Sequence, residues 1–365
     1  MRKLFFNLHL WGSLLSSVFI VIVCLTGAII AFEGELDRAM NPRLFRVEPP
    51  AGAIASRKPV AEWIQAAIAG TKDKGTFVHL SDDPADSVGV STPGRKQTFL
   101  NPYTGEILGV RTGTTVLADI HQLHSKLLMG DTGKRIVGIG TIFLLFLSLS
   151  GIYLWWPSKR FSVKWGASAR RVHFDLHHVA GIATSVFVVI LCLTGLFINF
   201  DDEIVPHVYA WTKSEPTPRD VRSNPQPGIA PLPHEQMIAI AKATIPGTTL
   251  VNLQIPGGPK GAYRVSLRFP EDLTPGGRSW VTMDQYTGAV LVQQNSRIPP
   301  AGTGYIITNR AIHTGDIFGI PSKIVASISC LAVLIQVVTG LYLWWKKRGK
   351  PAAREEMDVL ETQQA

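Results

Sequence analysis

The sequence predicts a membrane α-helical protein in which four transmembrane helices form two parallel repeats and two long loops fold as external α+β domains. Three observations predict this fold. Four charge-free apolar segments are each long enough to cross a bilayer, which takes about 20 residues. Similar segments recur in the two halves of the chain at nearly constant offsets. Of the 365 residues, 46% are hydrophobic and only 17% are charged, which excludes a disordered chain and argues against an ordinary soluble enzyme.

The four apolar segments are the predicted membrane spans, at residues 10–32, 136–156, 179–200 and 324–345. The first span follows Arg2 and Lys3 and therefore resembles a signal peptide. Its apolar stretch is too long for one, however, and no A-x-A cleavage site precedes Glu33. We therefore expect this segment to be retained as a span.

The charges beside the spans predict the orientation of the chain. Basic residues cluster at the N-terminus, in the short loop 158–172 and after the last span, whereas acidic residues follow the first and third spans. Because cytoplasmic loops carry the excess of lysine and arginine, we expect both termini and the short loop in the cytoplasm. In a bacterium this places the chain in the inner membrane with both long loops in the periplasm. The net charge of +9 is therefore assigned to membrane orientation, and no nucleic-acid partner is expected.

An internal duplication fixes the predicted architecture. Residues 18–32 match 186–200 at an offset of 168, and residues 150–156 match 339–345 at an offset of 189. Between the spans, residues 101–108 match 284–291 at an offset of 183. Because both halves cross the membrane in the same direction, the repeat implies a pseudo-two-fold axis along the membrane normal.

The predicted segments follow from the spans and the repeat. Helices are expected at 58–70 and 234–244, and strands at 76–80, 98–101, 262–269 and 278–283. Tyr-Thr-Gly at 103–105 and 286–288 predicts two tight turns in which glycine supplies a positive φ. The predicted order is first span 1–33, external domain 34–118, histidine-bearing segment and second span 119–157, cytoplasmic loop 158–172, third span 173–200, external domain 201–309, histidine-bearing segment and fourth span 310–348, and disordered cytoplasmic tail 349–365.

Four histidines are paired by the repeat. His9 corresponds to His177 at the offset of the first spans, and His124 corresponds to His313 at the offset of the second spans. A ligand on the two-fold axis would meet two equivalent imidazoles from opposite sides, which is what a six-coordinate haem requires. Helical bundles build cofactor sites from facing helices. The sequence therefore predicts haem iron at two depths, ligated by His9 with His177 near the cytoplasm and by His124 with His313 near the outside.

Helix length predicts a break after each external histidine. A straight helix from His124 to Trp156 would be about 48 Å long, which exceeds the hydrocarbon core. Gly130 and Gly133 in the first repeat, and Gly319 and Pro321 in the second, are positioned to break the helices. We therefore expect His124 and His313 on short segments that bend back or lie at the membrane interface.

Other residues near these histidines have more than one interpretation. His121 and His173 share a helical face with His124 and His177, and they fit a supporting role, an alternative ligand role or no role. His173 and His177 could also chelate zinc, although no cysteine or carboxylate cluster completes such a site. Lys134 and Lys323 occupy matched positions and fit either neutralisation of haem propionates or interfacial placement. The matched Cys-Leu-Thr-Gly segments, with Gly151 and Gly340, are interpreted as helix packing.

The chain resembles the PepSY-associated transmembrane helix proteins. The residues that carry the resemblance are Leu8-His9 with Gly12, Leu123-His124 through Gly130 to Lys134, residues 150–156, and Leu176-His177-His178, and it covers about residues 1–348. The Tyr-Thr-Gly turns look like those of PepSY domains. The resemblance implies two PepSY-like domains, two b-type haems with the four histidines as axial ligands, and a relation to ferric-siderophore reductases. The second repeat departs from the pattern, because Arg310 stands at the position that corresponds to His121.

The expected function is transmembrane electron transfer. Electrons would enter from a cytoplasmic flavin reductase or quinol and leave to a periplasmic acceptor, which the resemblance suggests is a ferric siderophore. The chain carries no nicotinamide or flavin fingerprint, so a partner must donate the electrons. One alternative is a haem-free, membrane-anchored PepSY module with a binding or regulatory role. A transporter is the third possibility, but no charged residue lies in the middle of a span.

Overall fold

The computed structural model describes residues 1–51, 56–69, 77–92, 96–218, 220–225 and 228–348. The predicted tail 349–365 lies outside the described residues, as do the ends of the predicted helix 58–70 and strand 76–80, at Gly70 and Thr76. The chain divides into two units. The helical unit comprises Met1–Phe32, Ala118–Asp201 and the chain from Ile312, and the sheet unit comprises Glu33–Leu117 and Asp202–Ala311.

The described elements alternate between the two units. The helices, in chain order, are α1 (Arg2–Ile30), α2 (Glu33–Met40), α3 (Pro42–Phe45), α4 (Val60–Ile68), α5 (Val116–Lys126), α6 (Gly130–Trp155), α7 (Ala169–Asn199), α8 (Asp201–Thr212), α9 (His234–Thr244), α10 (Ala301–Thr314) and α11 (Ile320–Arg348). The strands are β1 (Phe77–His79), β2 (Val88–Thr92), β3 (Lys96–Leu100), β4 (Ile107–Thr112), β5 (Thr249–Gln254), β6 (Tyr263–Arg268), β7 (Ser279–Met283) and β8 (Val290–Gln294).

Four helices, α1, α6, α7 and α11, are long and apolar enough to cross a membrane, which confirms the four predicted segments. A helix satisfies its own backbone hydrogen bonds, so it is the form that an apolar segment can take in lipid. Each of these helices begins several residues before the predicted span, because helix formation continues into the polar flanks. His9 and His177 consequently lie inside α1 and α7.

The four long helices pack around a shared apolar centre. Helices α1 and α7 each contact both α6 and α11. Apolar side chains, most of them small or β-branched, fill the centre, where the buried residues are Ile20, Cys24, Leu147, Val188, Cys192 and Val333. The corresponding helices α1 and α7 therefore lie opposite each other around this centre, and so do the corresponding helices α6 and α11.

The predicted helix breaks are present in both repeats, but of the four residues expected to cause them only Gly130 and Gly319 lie at the breaks, because Gly133 lies within α6 and Pro321 within α11. Helix α5 ends at Lys126, and Leu127 and Leu128 then adopt positive φ values of 49° and 58° before α6 begins. In the second repeat, Gly315 and Gly319 have φ values of 76° and 65° on either side of a short 3-10 helix. His124 and His313 therefore lie on separate helices, α5 and α10, that precede α6 and α11.

The described strands of both long loops form one antiparallel sheet of eight strands, in the order β4-β3-β2-β1-β5-β6-β7-β8. The sequence predicted two α+β domains, and the structure joins their strands through β1 and β5. The seam pairs Phe77 with Gln254, Val78 with Leu253, and His79 with Asn252. The two repeats contribute four strands each, and corresponding strands lie at equal distances on either side of the β1–β5 seam: β1 and β5, β2 and β6, β3 and β7, and β4 and β8.

One face of the sheet carries the core of this unit. Helices α4 and α9 pack on it, and the fully buried Val78 and Leu253 lie on this face at the seam. The predicted helix 234–244 is confirmed residue for residue as α9. Gly105 and Gly288 have φ values of 76° and 72°, which confirms the two Tyr-Thr-Gly turns that connect β3 to β4 and β7 to β8.

Candidate functional site

The helical unit brings the four repeat-matched histidines together in two pairs. The imidazole ring centres of His9 on α1 and His177 on α7 lie 6.4 Å apart. The ring centres of His124 on α5 and His313 on α10 also lie 6.4 Å apart. The ring planes meet at 83° in the first pair and at 43° in the second.

This separation is suited to a metal ion between the rings. Two imidazoles that ligate one metal from opposite sides have ring centres about 6.2 Å apart, because a metal–nitrogen bond is about 2 Å and the ring centre lies about 1.1 Å further on. The observed 6.4 Å agrees with that spacing. Each histidine pair would then be able to hold the iron of a haem.

We call His124 and His313 the outer histidines, and both hydrogen-bond through Nδ1 to a neighbouring long helix. His124 Nδ1 lies 2.9 Å from the carbonyl oxygen of Val23 and 3.3 Å from Thr26 Oγ1. His313 Nδ1 lies 3.2 Å from the carbonyl oxygen of Leu191 and 3.1 Å from Thr194 Oγ1. The partners are themselves repeat mates, since both pairs differ by the offset of 168.

His9 and His177, which we call the inner histidines, also have Nδ1 within hydrogen-bond distance of a neighbouring long helix. His177 Nδ1 lies 3.1 Å from the carbonyl oxygen of Gln336 and 3.1 Å from Thr339 Oγ1. His9 Nδ1 lies 2.9 Å from Ser150 Oγ, the repeat mate of Thr339. Each histidine of a long helix is thus oriented by a second long helix.

These contacts fix which ring nitrogen carries the proton. A carbonyl oxygen can only accept, so the Nδ1 atoms of His124, His177 and His313 must donate. The neutral ring then has its lone pair on Nε2, which is the arrangement found in metal-ligating histidines. Burial lowers the pKa of His124 to about 4, so this ring is neutral at physiological pH. The donor set therefore fits axial ligation of a haem iron.

Every one of the four histidines rests on a Ser-Gly or Thr-Gly dipeptide of another helix. A Cβ atom added to Gly27 would lie 2.9 Å from His124 Cε1, and one added to Gly195 would lie 2.8 Å from His313 Cε1. The corresponding distances are 3.5 Å from Gly151 to His9 and 3.4 Å from Gly340 to His177.

The sequence interpretation treated these dipeptides as helix packing and missed their contact with the histidines. A signal for that contact was present. The dipeptides Thr26-Gly27, Ser150-Gly151, Thr194-Gly195 and Thr339-Gly340 match in pairs across the repeat, as the histidines do.

A cavity of about 1070 Å³ opens beside the inner pair. Its deep wall is mainly apolar and includes Ile20, Leu144 and Val188, and both His9 and His177 line it. Its volume is at the upper end of the range for small-molecule sites. The lining also contains six basic residues, which are Arg2, Lys3, Arg160, Arg170, Arg171 and Lys347. An apolar interior with a cationic lining suits a ligand that has an apolar body and anionic groups.

Two predicted basic residues form ion pairs. Lys134 Nζ lies 2.6 Å from Asp201 Oδ1, and Lys323 Nζ lies 3.3 Å from Asp316 Oδ1. Both lysines are therefore neutralised by carboxylates in the structure. Whether they also approach a propionate stays a prediction.

Three other histidines lie near the pairs, and one of them, His178, has its ring centre 6.3 Å from that of His177. His173 Nδ1 contacts the carbonyl oxygen of Ala169 at 2.8 Å, and its ring stacks on Tyr342 at 3.9 Å. His121 is exposed on α5. Among the described residues, no group of three or more histidine, cysteine or acidic side chains could hold a metal ion, so a zinc site at His173 and His177 has no third ligand there.

A family model described as the PepSY-associated TM region matches residues 6–347 of the chain. The match spans both histidine pairs and the whole sheet unit. A search of the curated proteins found no match to the chain.

Proposed function

Because the chain belongs to the PepSY-associated TM region family, we propose that it is a di-haem b electron-transfer protein of the bacterial inner membrane. It moves electrons from a cytoplasmic flavin reductase or from quinol to a periplasmic acceptor, for which a ferric siderophore is the best candidate. The chain acts as an oxidoreductase in iron acquisition.

One observation carries this proposal, and it is the pairing of the four histidines. Two imidazole pairs have the spacing of axial ligands, and the partners of Nδ1 direct the lone pair to Nε2. A single buried histidine would be explained by packing. Two pairs with the same partners, on corresponding elements of two repeats, are better explained by two equivalent cofactors.

The repeat supplies the geometry that such cofactors need. Two parallel repeats around a pseudo-two-fold axis present each haem with equivalent ligands from two helices. The inner pair lies on the spans, and the outer pair lies on α5 and α10 before the next spans. Two haems at different depths then divide the membrane into shorter electron-transfer distances.

Haem supplies one-electron transfer when it is bound. The protein's own contribution is to fix the histidine tautomers, exclude water with apolar walls and keep the rings apart. The acceptor follows from iron chemistry, because hard oxygen ligands suit Fe(III) better than Fe(II). Reduction of a ferric siderophore would therefore loosen its iron.

Haem content of single-histidine variants tests the proposal. We expect the detergent-purified full-length protein to contain two b-type haems by the pyridine haemochrome assay and to show low-spin bands. His124→Ala should lose the outer haem, retain the inner haem and stop external reduction. His121→Ala, which removes an exposed histidine one helical turn away, is the matched control and should keep both haems.

Two results would contradict the proposal. Unchanged haem content in His124→Ala would refute the pairing of His124 with His313. A colourless protein that also fails to take up added haem would exclude the oxidoreductase and favour the haem-free PepSY binding module.

A further inference from the structure

A fully buried carboxylate lies near the cytoplasmic end of α7. The side chain of Asp175 has no exposed surface. Arg171 Nε donates to both of its oxygens at 2.9 Å, and an Arg160 guanidinium nitrogen lies 3.8 Å from Oδ1. The backbone N–H of Lys164 donates to Oδ2 at 3.3 Å. Asp175 thereby ties the loop before α7 to the helix and holds two arginines in place.

The two arginines belong to the wall of the cavity beside the inner histidine pair. Arg160 and Arg171 both line it, whereas Asp175 does not. One buried acid between two guanidinium groups leaves an excess positive charge. Arg160 and Arg171 remain 40% and 36% exposed, so each guanidinium is accessible while its position is restrained.

The repeat supplies one equivalent cation, Lys3, which also lines this cavity. Lys3 stands at the offset of 168 from Arg171, as His9 does from His177. In both repeats the cation precedes the histidine by six residues, which is about 9 Å along an α-helix. That distance is comparable to the reach from the centre of a porphyrin to its carboxylates.

Removing a carboxylate from water is costly, and its attraction to a paired cation often does no more than offset that cost. Here the acid orients cations at the mouth of an apolar cavity whose described lining residues include no carboxylate. Guanidinium groups are the preferred partners of carboxylates because they can donate two parallel hydrogen bonds. A cavity with this wall suits an apolar ligand that carries acidic groups.

We propose that Arg171 and Arg160, positioned by Asp175, bind the propionate carboxylates of the haem held by His9 and His177. This inference rests on the proposed function and assigns propionate recognition at the inner site to residues other than Lys134 and Lys323. Asp175 acts through the arginines and is a positioning residue.

The test uses full-length protein carrying His124→Ala, so that only the inner pair binds haem. Arg171→Gln alone would leave a buried carboxylate with reduced pairing, so the test variant is Asp175→Asn with Arg171→Gln, which removes both charges. The haem-free proteins are titrated with haem b and with haem b dimethyl ester, whose carboxylates are blocked. Lys164→Gln is the control, because Lys164 lies in the same loop and its side chain does not line the cavity.

We expect the double variant to bind haem b about tenfold more weakly, because a charge-assisted hydrogen bond is lost. Its affinity for the dimethyl ester should equal that of the parent, and the Lys164→Gln protein should bind both ligands normally. An equal loss of affinity for both ligands, or no loss for haem b, would overturn the inference and leave the proposed function intact. Failure of the parent to bind either ligand would refute the proposed function itself.

Discussion

At the scale of single residues, the contact between glycine and imidazole decides how closely the histidines approach their neighbouring helices. Gly27 and Gly195 lie so close to His124 and His313 that an added Cβ would be within 3.0 Å of Cε1. Gly151, beside His9, would tolerate one, since the distance there is an ordinary van der Waals contact of 3.5 Å. The glycines beside the outer histidines therefore leave less space for a methyl group than the glycines beside the inner histidines do.

We predict that Gly27→Ala and Gly195→Ala displace the outer imidazoles and lower the content of the outer haem. Overpacking of this kind costs about 1–3 kcal/mol. Gly151→Ala and Gly340→Ala are matched controls on the inner site and should keep both haems. Haem content by pyridine haemochrome and the low-spin absorption bands measure the effect. Equal losses in all four variants would mean that these glycines serve helix packing alone.

At the scale of elements, the two Tyr-Thr-Gly turns reach the same geometry with different side chains. Asp284 accepts hydrogen bonds from the backbone N–H groups of Asn224, Tyr286 and Thr287 at 2.7, 2.8 and 3.0 Å. Asn101, at the corresponding position of the other turn, accepts from the N–H groups two and three residues on, at 2.9 and 3.3 Å. In the second turn Asp284 therefore uses both of its oxygens: Oδ1 accepts from the turn itself and Oδ2 accepts from Asn224. An asparagine has a single side-chain oxygen and could not accept in both places.

We predict that Asp284→Asn destabilises the sheet unit by about 1–2 kcal/mol at pH 7, because a hydrogen bond to a charged group is lost. Burial opposes ionisation of Asp284, but the N–H groups of Asn224, Thr287 and Tyr286 outweigh it and hold the pKa of the carboxyl below its usual range. The stabilisation is complete above the unfolded pKa of about 3.9 and disappears as the pH falls through the lower folded value.

Thermal unfolding followed by tryptophan fluorescence measures this effect in the full-length protein. The difference between wild type and Asp284→Asn should be constant from pH 7 to about 5 and shrink toward pH 3. Asp220→Asn is the control, because this carboxylate is 81% exposed and its loss should change little. A difference that stays the same at pH 3 would show that the charge of Asp284 is not what stabilises the turn.

The limits of sequence-based prediction also appear at the scale of elements. Spans, helix breaks and histidine pairs followed from hydropathy, helix length and the repeat, all of which are properties of one segment or of two matched segments. The hydrogen-bond partners of the histidines lie on other helices, and periodicity within a segment carries no information about them. The seam between β1 and β5 is equally non-local. Three residue pairs form it among the described residues, and alternation does not reveal which strand of each repeat will pair with the other repeat.

At the scale of the whole molecule, the continuous sheet and the charge pattern lead independently to one topology. Strands from both long loops pair in the same sheet, so both loops must lie on the same side of any membrane that the helices cross. These loops follow the first and the third span, so counting membrane crossings also places them on the same side. The excess of lysine and arginine in the remaining loop and at the termini predicts that this common side is external.

We predict that a membrane-impermeant maleimide will label Glu106→Cys and Ala289→Cys in intact spheroplasts, because both positions are exposed at the turns of the shared sheet. Gly166→Cys, in the basic loop, should react only after the membrane is permeabilised. The wild-type protein controls for background, since Cys24 and Cys192 are buried and Cys330 is partly buried. Labelling of Glu106→Cys and Ala289→Cys from opposite sides would be incompatible with one sheet. If both positions were labelled only after permeabilisation, the result would be compatible with one sheet but would contradict the orientation that the charges predict. The direction of the proposed electron transfer would then be reversed as well.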